Sequence, residues 1–162
     1  MAALFLSLTF WLSGCQSFRV ETYLIPENME PRWITIEYEN PKCPPLKKGA
    51  LGQEFVIPES GFMCTSSKVY TGWSQRKYFL VNEKGERTPL KVGEQIWREE
   101  TLNVNEPSLD AGMPMCKVTA EEFFYGPKDK LKYENPIMED ETFLSKFHPE
   151  CRNRGIVTKP SP

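Results

Sequence analysis

Reactive side chains are few in this chain, and the cysteines lead them. There are five, Cys15, Cys43, Cys64, Cys116 and Cys151, against a single histidine, His148. One imidazole removes most Ser-His-Asp and Cys-His nucleophile schemes. His148 precedes Pro149 at the expected end of a helix, where a surface or capping role is the simpler account. Thr65, Ser66 and Ser67 form a hydroxyl run, but no Gly-x-Ser-x-Gly elbow surrounds them and they read as a turn. There is no glycine-rich phosphate loop and no His-Glu-x-x-His. No Cys-x-x-Cys pair occurs, so Cys116, His148 and Cys151 are the one set that suggests zinc, as a rival to disulfides. Glu139, Asp140 and Glu141 precede a helical pattern, whose positive N-terminus favours acids; calcium is the rival reading there and at Asp110 near Gly112. Glu121 and Glu122 are adjacent in a strand pattern, face opposite ways and are expected to meet solvent at a sheet edge. We therefore expect no enzyme, no metal site and no cofactor.

Aromatic side chains are the other candidates. Tyr23, Trp33, Tyr38, Trp73, Tyr78 and Trp97 could line a groove for sugars or peptides, which stack on ring faces, although a sandwich core is their commoner use. Trp73, in TGWSQR, has turn formers as neighbours and is the best candidate for exposure; Trp73 and Trp97 make the candidate ligand surface. A net charge of −2 over 162 residues argues against a nucleic-acid partner, which calls for a basic face.

The elements that position these residues begin with MAALFLSLTFWLSG, residues 1–14, which carry no charge. As a helix they span roughly 21 Å, short of the ~30 Å hydrocarbon core, so a secretory h-region fits better than a transmembrane helix. Leu12-Ser13-Gly14-Cys15 resembles the lipobox of bacterial lipoproteins. The resemblance implies diacylglycerol on the Cys15 thiol, cleavage before it and acylation of the new amine. Two or three acyl chains give durable membrane attachment. The segment lacks the Lys or Arg of a signal peptide's n-region, so we expect translation to start further upstream. Gln16 is similar to the outer-membrane rather than the inner-membrane class of such proteins. The residues between Cys15 and the first expected strand at Phe18 reach at most ~11 Å, which holds the domain close to the bilayer.

With Cys15 lipidated, four cysteines remain, and three pairings are open to them. Cys43–Cys64 with Cys116–Cys151 is the expected set. Cys43 follows one strand and Cys64 the next turn, while Cys151 bonded to Cys116 would pin the C-terminal segment. Each loop so closed is worth roughly 3–4 kcal/mol by chain entropy.

Short strands separated by turn signals fill the rest. They are expected at 18–24, 32–38, 54–57, 62–67, 77–81, 86–92, 94–98 and 116–126, with NEKG (82–85) as a hairpin turn and 99–115 as a long surface loop. In the first, Phe18, Val20, Thr22 and Leu24 share a face; in the second, Ile34, Ile36 and Tyr38 do. Residues 127–133 and 140–147 could each form a short helix. The expected fold is all-β: one antiparallel sandwich, transthyretin-like or immunoglobulin-like, of about seven or eight strands with one or two short C-terminal helices. The expected organisation is a signal peptide (1–14), a lipid-anchored start (15–17), one domain (18–158) and a frayed tail (159–162).

The stretches YLIPEN, IPESG followed by Thr65-Ser66, KYFLVNEKG and, more weakly, CKVTAEEFFYG resemble a family of uncharacterised exported bacterial proteins, over residues 22–90 and 116–134. That resemblance implies a secreted or lipid-anchored domain and brings no catalytic residues. The expected function is a non-catalytic envelope protein that binds a protein or envelope component; a glycan- or small-ligand-binding module is the alternative.

Overall fold

The computed structural model describes residues 19–49, 52–106 and 116–131. Residues 1–14, Cys15, the helix expected over 140–147, His148, Cys151 and residues 159–162 lie outside the described residues. Nine strands occur among those described: β1 Arg19–Pro26, β2 Arg32–Tyr38, β3 Lys47–Gly49, β4 Gly52–Val56, β5 Phe62–Cys64, β6 Ser74–Val81, β7 Arg87–Leu90, β8 Ile96–Glu106 and β9 Cys116–Tyr125. They form a five-stranded sheet, β3-β4-β1-β6-β7, packed on a four-stranded sheet, β5-β2-β9-β8. The all-β sandwich is as expected.

The sheets are mixed rather than antiparallel. β1 runs parallel to both β4 and β6, and β2 parallel to β5. The connectivity explains this. The chain alternates between sheets, β1 in one, β2 in the other, β3 and β4 back in the first, β5 in the second and so on. β5 and β6 each return to their sheet after a crossing and run as β2 and β1 do, whereas β3 returns against β1 and its pairing with β4 restores the direction. Side-chain alternation has period 2 whichever way a strand runs, so it carries no direction.

In β2, Ile34, Ile36 and Tyr38 face the core as the alternation of RWITIEY implies, and Thr35 and Glu37 on the other face are buried as well. β1 buries Glu21, Tyr23 and Ile25 against the second sheet, the face opposite to Val20, Thr22 and Leu24. Phe55, Tyr23 and Tyr78 are register partners on β4, β1 and β6, and their rings stack at 4.6 and 4.7 Å. Phe123 of β9 meets Tyr23 and Tyr78 edge-on from the facing sheet, at 5.4 and 5.1 Å. This aromatic layer is the centre of the core.

The NEKG turn joins β6 and β7, with Gly85 at φ 81° and the Asn82 carboxamide oxygen accepting the amides of Lys84 and Glu86. β3 lies where no strand was expected. β8 runs on through Glu106, into what reads as loop, because pairing with β9 supplies the hydrogen bonds that its polar residues alone do not predict. After β9 the only helical turn described is the 3-10 turn Lys128–Lys130, in place of the helix expected over 127–133.

Gly52 opens β4 at φ 151°, and a Cβ there would run into the carbonyl of Val20 on β1. Gly52→Ala is expected to cost about 2 kcal/mol or more by straining this junction, read as a lower urea midpoint at unchanged m.

Candidate functional site

A charged group lies inside the sandwich, and its members come from both sheets. Glu121 on β9 faces inward opposite Ile36 and is 2% exposed. Its Oε2 accepts the phenols of Tyr38, at 2.8 Å, and Tyr23, at 3.1 Å. Its Oε1 takes Arg76 Nη2 at 2.5 Å. Arg76, on β6, also reaches Glu99 on β8 at 3.4 Å and Glu21 on β1 at 3.7 Å. Tyr78 donates to the same Glu99 oxygen, Ser74 donates to Glu21 at 3.0 Å, and Arg19 lies 3.6 Å from Glu21. Tyr23, Tyr78, Arg76 and Glu21 belong to the first sheet, and Tyr38, Glu99 and Glu121 to the second. The group is thus a set of polar crosslinks between layers.

Burial sets its electrostatics. Loss of water pushes the Glu121 carboxyl above its ordinary range, which Arg76 and the Tyr38 hydrogen bond only partly oppose and nearby Glu21 reinforces. Burial, then the Glu121 charge, holds the Tyr23 and Tyr38 phenols far up, so both remain donors. Burial, then Glu99, does the same for Tyr78. Desolvation alone would weaken the Arg76 cation, but Glu121 and the other groups facing it outweigh that and keep it charged. Glu121 thus accepts two phenols on Oε2 and pairs with a guanidinium on Oε1, an arrangement that positions strands of both sheets.

The adjacent acid differs from expectation too. Glu122 is 1% exposed, on the opposite face of β9, where it accepts Thr35 Oγ1 at 2.9 Å. On that same face Glu37 is buried and accepts Asn40 Nδ2 at 3.0 Å. Solvation at a sheet edge, the expectation for Glu121 and Glu122, is corrected: β9 is an inner strand, between β2 and β8. The sequence does hold a signal for this, since Glu121 and Glu122 lie between Ala120 and Phe123-Phe124, all buried.

The structure forms the Cys43–Cys64 disulfide, with Cα atoms 5.8 Å apart. Cys64 is the register partner of Glu37, and Thr65 below it donates to the Pro44 carbonyl at 2.9 Å, so the bridge ties the 39–46 loop to the β5 edge. Thr65 is buried and its hydroxyl organises this loop, which accounts for the hydroxyl run as structure. Cys116 opens β9, while its expected partner Cys151 is outside the described residues.

Trp73 is 81% exposed, as expected from its neighbours. Trp97 is half-buried: its indole N–H donates to the Gly126 carbonyl at 2.9 Å, and the Lys128 ammonium lies 5.5 Å above its ring. The two do not share a surface. β1, β4 and β6 are parallel, so Arg19, Gly52 and Ser74, next to Trp73, stand at one pole. Arg32, at the start of β2, holds the Glu59 carbonyl at 2.8 Å near Asn28, beyond the end of β1, and thus marks the other pole. Trp97 belongs there, because Ile96 and Arg32 both pair with Tyr125. A single aromatic groove built from Trp73 and Trp97 is therefore not formed. At that second pole a cleft of about 570 Å³ is lined by Pro26, Glu27, Glu59, Val81 and Glu83.

An all-β mixed sandwich, internally crosslinked by buried charge and closed at one edge by a disulfide, is the class of protein these features define. The chain belongs to DUF6843, a family of unknown function, whose model matches residues 19–130. Among solved structures it is similar to a crystal structure described as a "Putative Lipoprotein from Bacillus anthracis", at 19% identity and a TM-score of 0.59, covering 80% of this chain and 93% of that one. No curated protein matches it.

Arg76→Met would leave the Glu121 carboxyl buried without its cation. A loss of about 2–4 kcal/mol is expected, below the full cost of a broken buried pair because Arg76 is partly solvated. Arg76→Met combined with Glu121→Gln should lose less than the sum of the single changes by about 1 kcal/mol or more, measured by urea denaturation of all four proteins.

Proposed function

We propose that this chain is an exported protein anchored to a membrane by lipid on Cys15, and that its sandwich is a non-catalytic binding domain of the bacterial cell envelope. Residues 1–14 are then removed, 15–17 form the anchored start, 18–158 the domain and 159–162 a tail. The observation that carries this reading is LSGC placed four residues before a sandwich whose first strand begins at Arg19. Several further observations support it. A Cys43–Cys64 bridge suits an oxidising compartment. No helix among the described residues is long and apolar enough to cross a membrane. The similar Bacillus anthracis structure is itself described as a "Putative Lipoprotein". Gln16 favours the outer membrane where there are two, and Cys116–Cys151 is the second bridge.

The domain's role is then to present a surface to another envelope component, a protein being the favoured partner. The contacts of Glu121 with Tyr23, Tyr38 and Arg76, and of Glu122 with Thr35, support a structural use of these acids in such a domain.

Cys15→Ser tests the anchor. The wild-type protein should partition with membranes and gain the mass of its acyl chains, and the variant should lose both. A variant that stays membrane-bound, or a wild type with an unmodified Cys15, contradicts the proposal.

A further inference from the structure

The pole that carries Trp73 combines an exposed tryptophan with basic side chains. Trp73 stands there almost fully exposed, one residue before Ser74, the register partner of Arg19. Arg19 lies over the Tyr70 ring at 4.6 Å. Exposed lysines surround the same end: Lys47 and Lys48 on β3, beside the Gly49–Gly52 junction, Lys68 in the segment leading to Tyr70, and Lys117 near the start of β9, beyond the Tyr38–Thr119 pair. Among the described residues, the carboxylates at this end include Glu39, exposed just past β2, and Glu54, the register partner of Lys47, which pairs with Arg87. At the opposite pole the cleft has Glu27, Glu59 and Glu83 in its walls, with Lys84.

The chain enters the fold at this basic pole. Four residue steps separate Cys15 from Arg19, roughly 14 Å at full extension. An anchor on Cys15 therefore brings this pole, and not the acidic one, against the bilayer. Tryptophan favours the headgroup layer, where its ring is apolar and its N–H is wet, and basic side chains near an anionic leaflet are attracted to lipid phosphates.

Resting on the anchor at Cys15, we propose that the Trp73 pole is a membrane-docking surface: the Trp73 indole inserts at headgroup depth while Arg19, Lys47, Lys48 and Lys68 contact anionic lipid phosphates. The domain then stands upright on the bilayer with the Trp97 pole and its acidic cleft directed away from it. A short tether alone would let the domain tumble; a seated pole fixes which surface is displayed.

The test uses purified full-length lipoprotein in vesicles of equal parts phosphatidylglycerol and phosphatidylcholine, with and without brominated acyl chains. Bromine quenches indole emission only at close range. Trp73→Phe should abolish most of the bromine-dependent quenching, because the remaining Trp33 and Trp97 are away from the bilayer. Lys47→Glu with Lys48→Glu should reduce it severalfold. The intact mass of the same sample reads the anchor separately. Quenching that is equal in wild type and Trp73→Phe, on protein whose mass shows lipid at Cys15, overturns the docking surface alone. An unlipidated Cys15 overturns the anchor and the docking surface with it.

Discussion

The Glu121 carboxylate is the constraint on which this fold turns. A buried carboxylate is costly unless it is paired and hydrogen-bonded. Here the pairing groups come from the facing sheet as well as its own: Tyr38 from β2, Tyr23 from β1, and Arg76 from β6. The requirement fixes how the sheets sit on each other. Sliding one layer past the other by a residue would strand Glu121 away from Arg76 and the Tyr23 phenol, while Tyr38, on its own sheet, would move with it. Hydrophobic packing alone is more permissive, because stacked rings such as Phe55, Tyr23 and Tyr78 lose little on a small shift. The polar crosslinks and the aromatic layer act together: the rings exclude water and the network sets the register between the sheets.

Tyr23, Tyr78 and Phe55 are register partners on three strands that run in the same direction. The same alignment gathers Arg19, Gly52 and Trp73 at one pole and the Pro26 and Asn82 turns at the other. The polarity of the molecule, basic and aromatic at the chain entrance and carboxylate-rich in the far cleft, thus follows from strand direction. The Cys43–Cys64 bridge secures the β5 edge and the loop that packs beside it.

Parts of this were legible in the chain. RWITIEY alternates between apolar and polar residues, and Ile34, Ile36 and Tyr38 do form its core face, although the polar face is buried too. NEKG gives its hairpin because Asn82 and Gly85 fit the turn. Cys43 and Cys64 pair because a loop and a turn bring neighbouring elements together. Trp73 is exposed for the reason its neighbours suggest. What was hidden depends on distant partners. Glu121 and Glu122 read as solvated acids because Arg76, Tyr38 and Thr35, which let them be buried, are far away in sequence. The length of β8 was hidden because its pairing with β9, not its own composition, holds residues 99–106 extended. Strand direction was hidden because alternation is the same both ways, and with it the separation of Trp73 from Trp97.

If Glu121 and its phenols are the interior crosslink described, Tyr23, Tyr38 and Tyr78 cannot ionise while the sheets remain packed. Their folded-state values lie above the ordinary 10.0 of a free tyrosine. The neutral phenols therefore contribute stability that is complete below that pH and is lost as pH rises past it, while the unfolded chain ionises. An alkaline titration that follows phenolate absorbance and near-ultraviolet circular dichroism together tests this directly, with Tyr23→Phe, Tyr38→Phe and Tyr78→Phe to assign the signals. The account predicts that these three phenols ionise only in step with cooperative unfolding. Reversible ionisation of the three near pH 10 with the tertiary signal intact would contradict it.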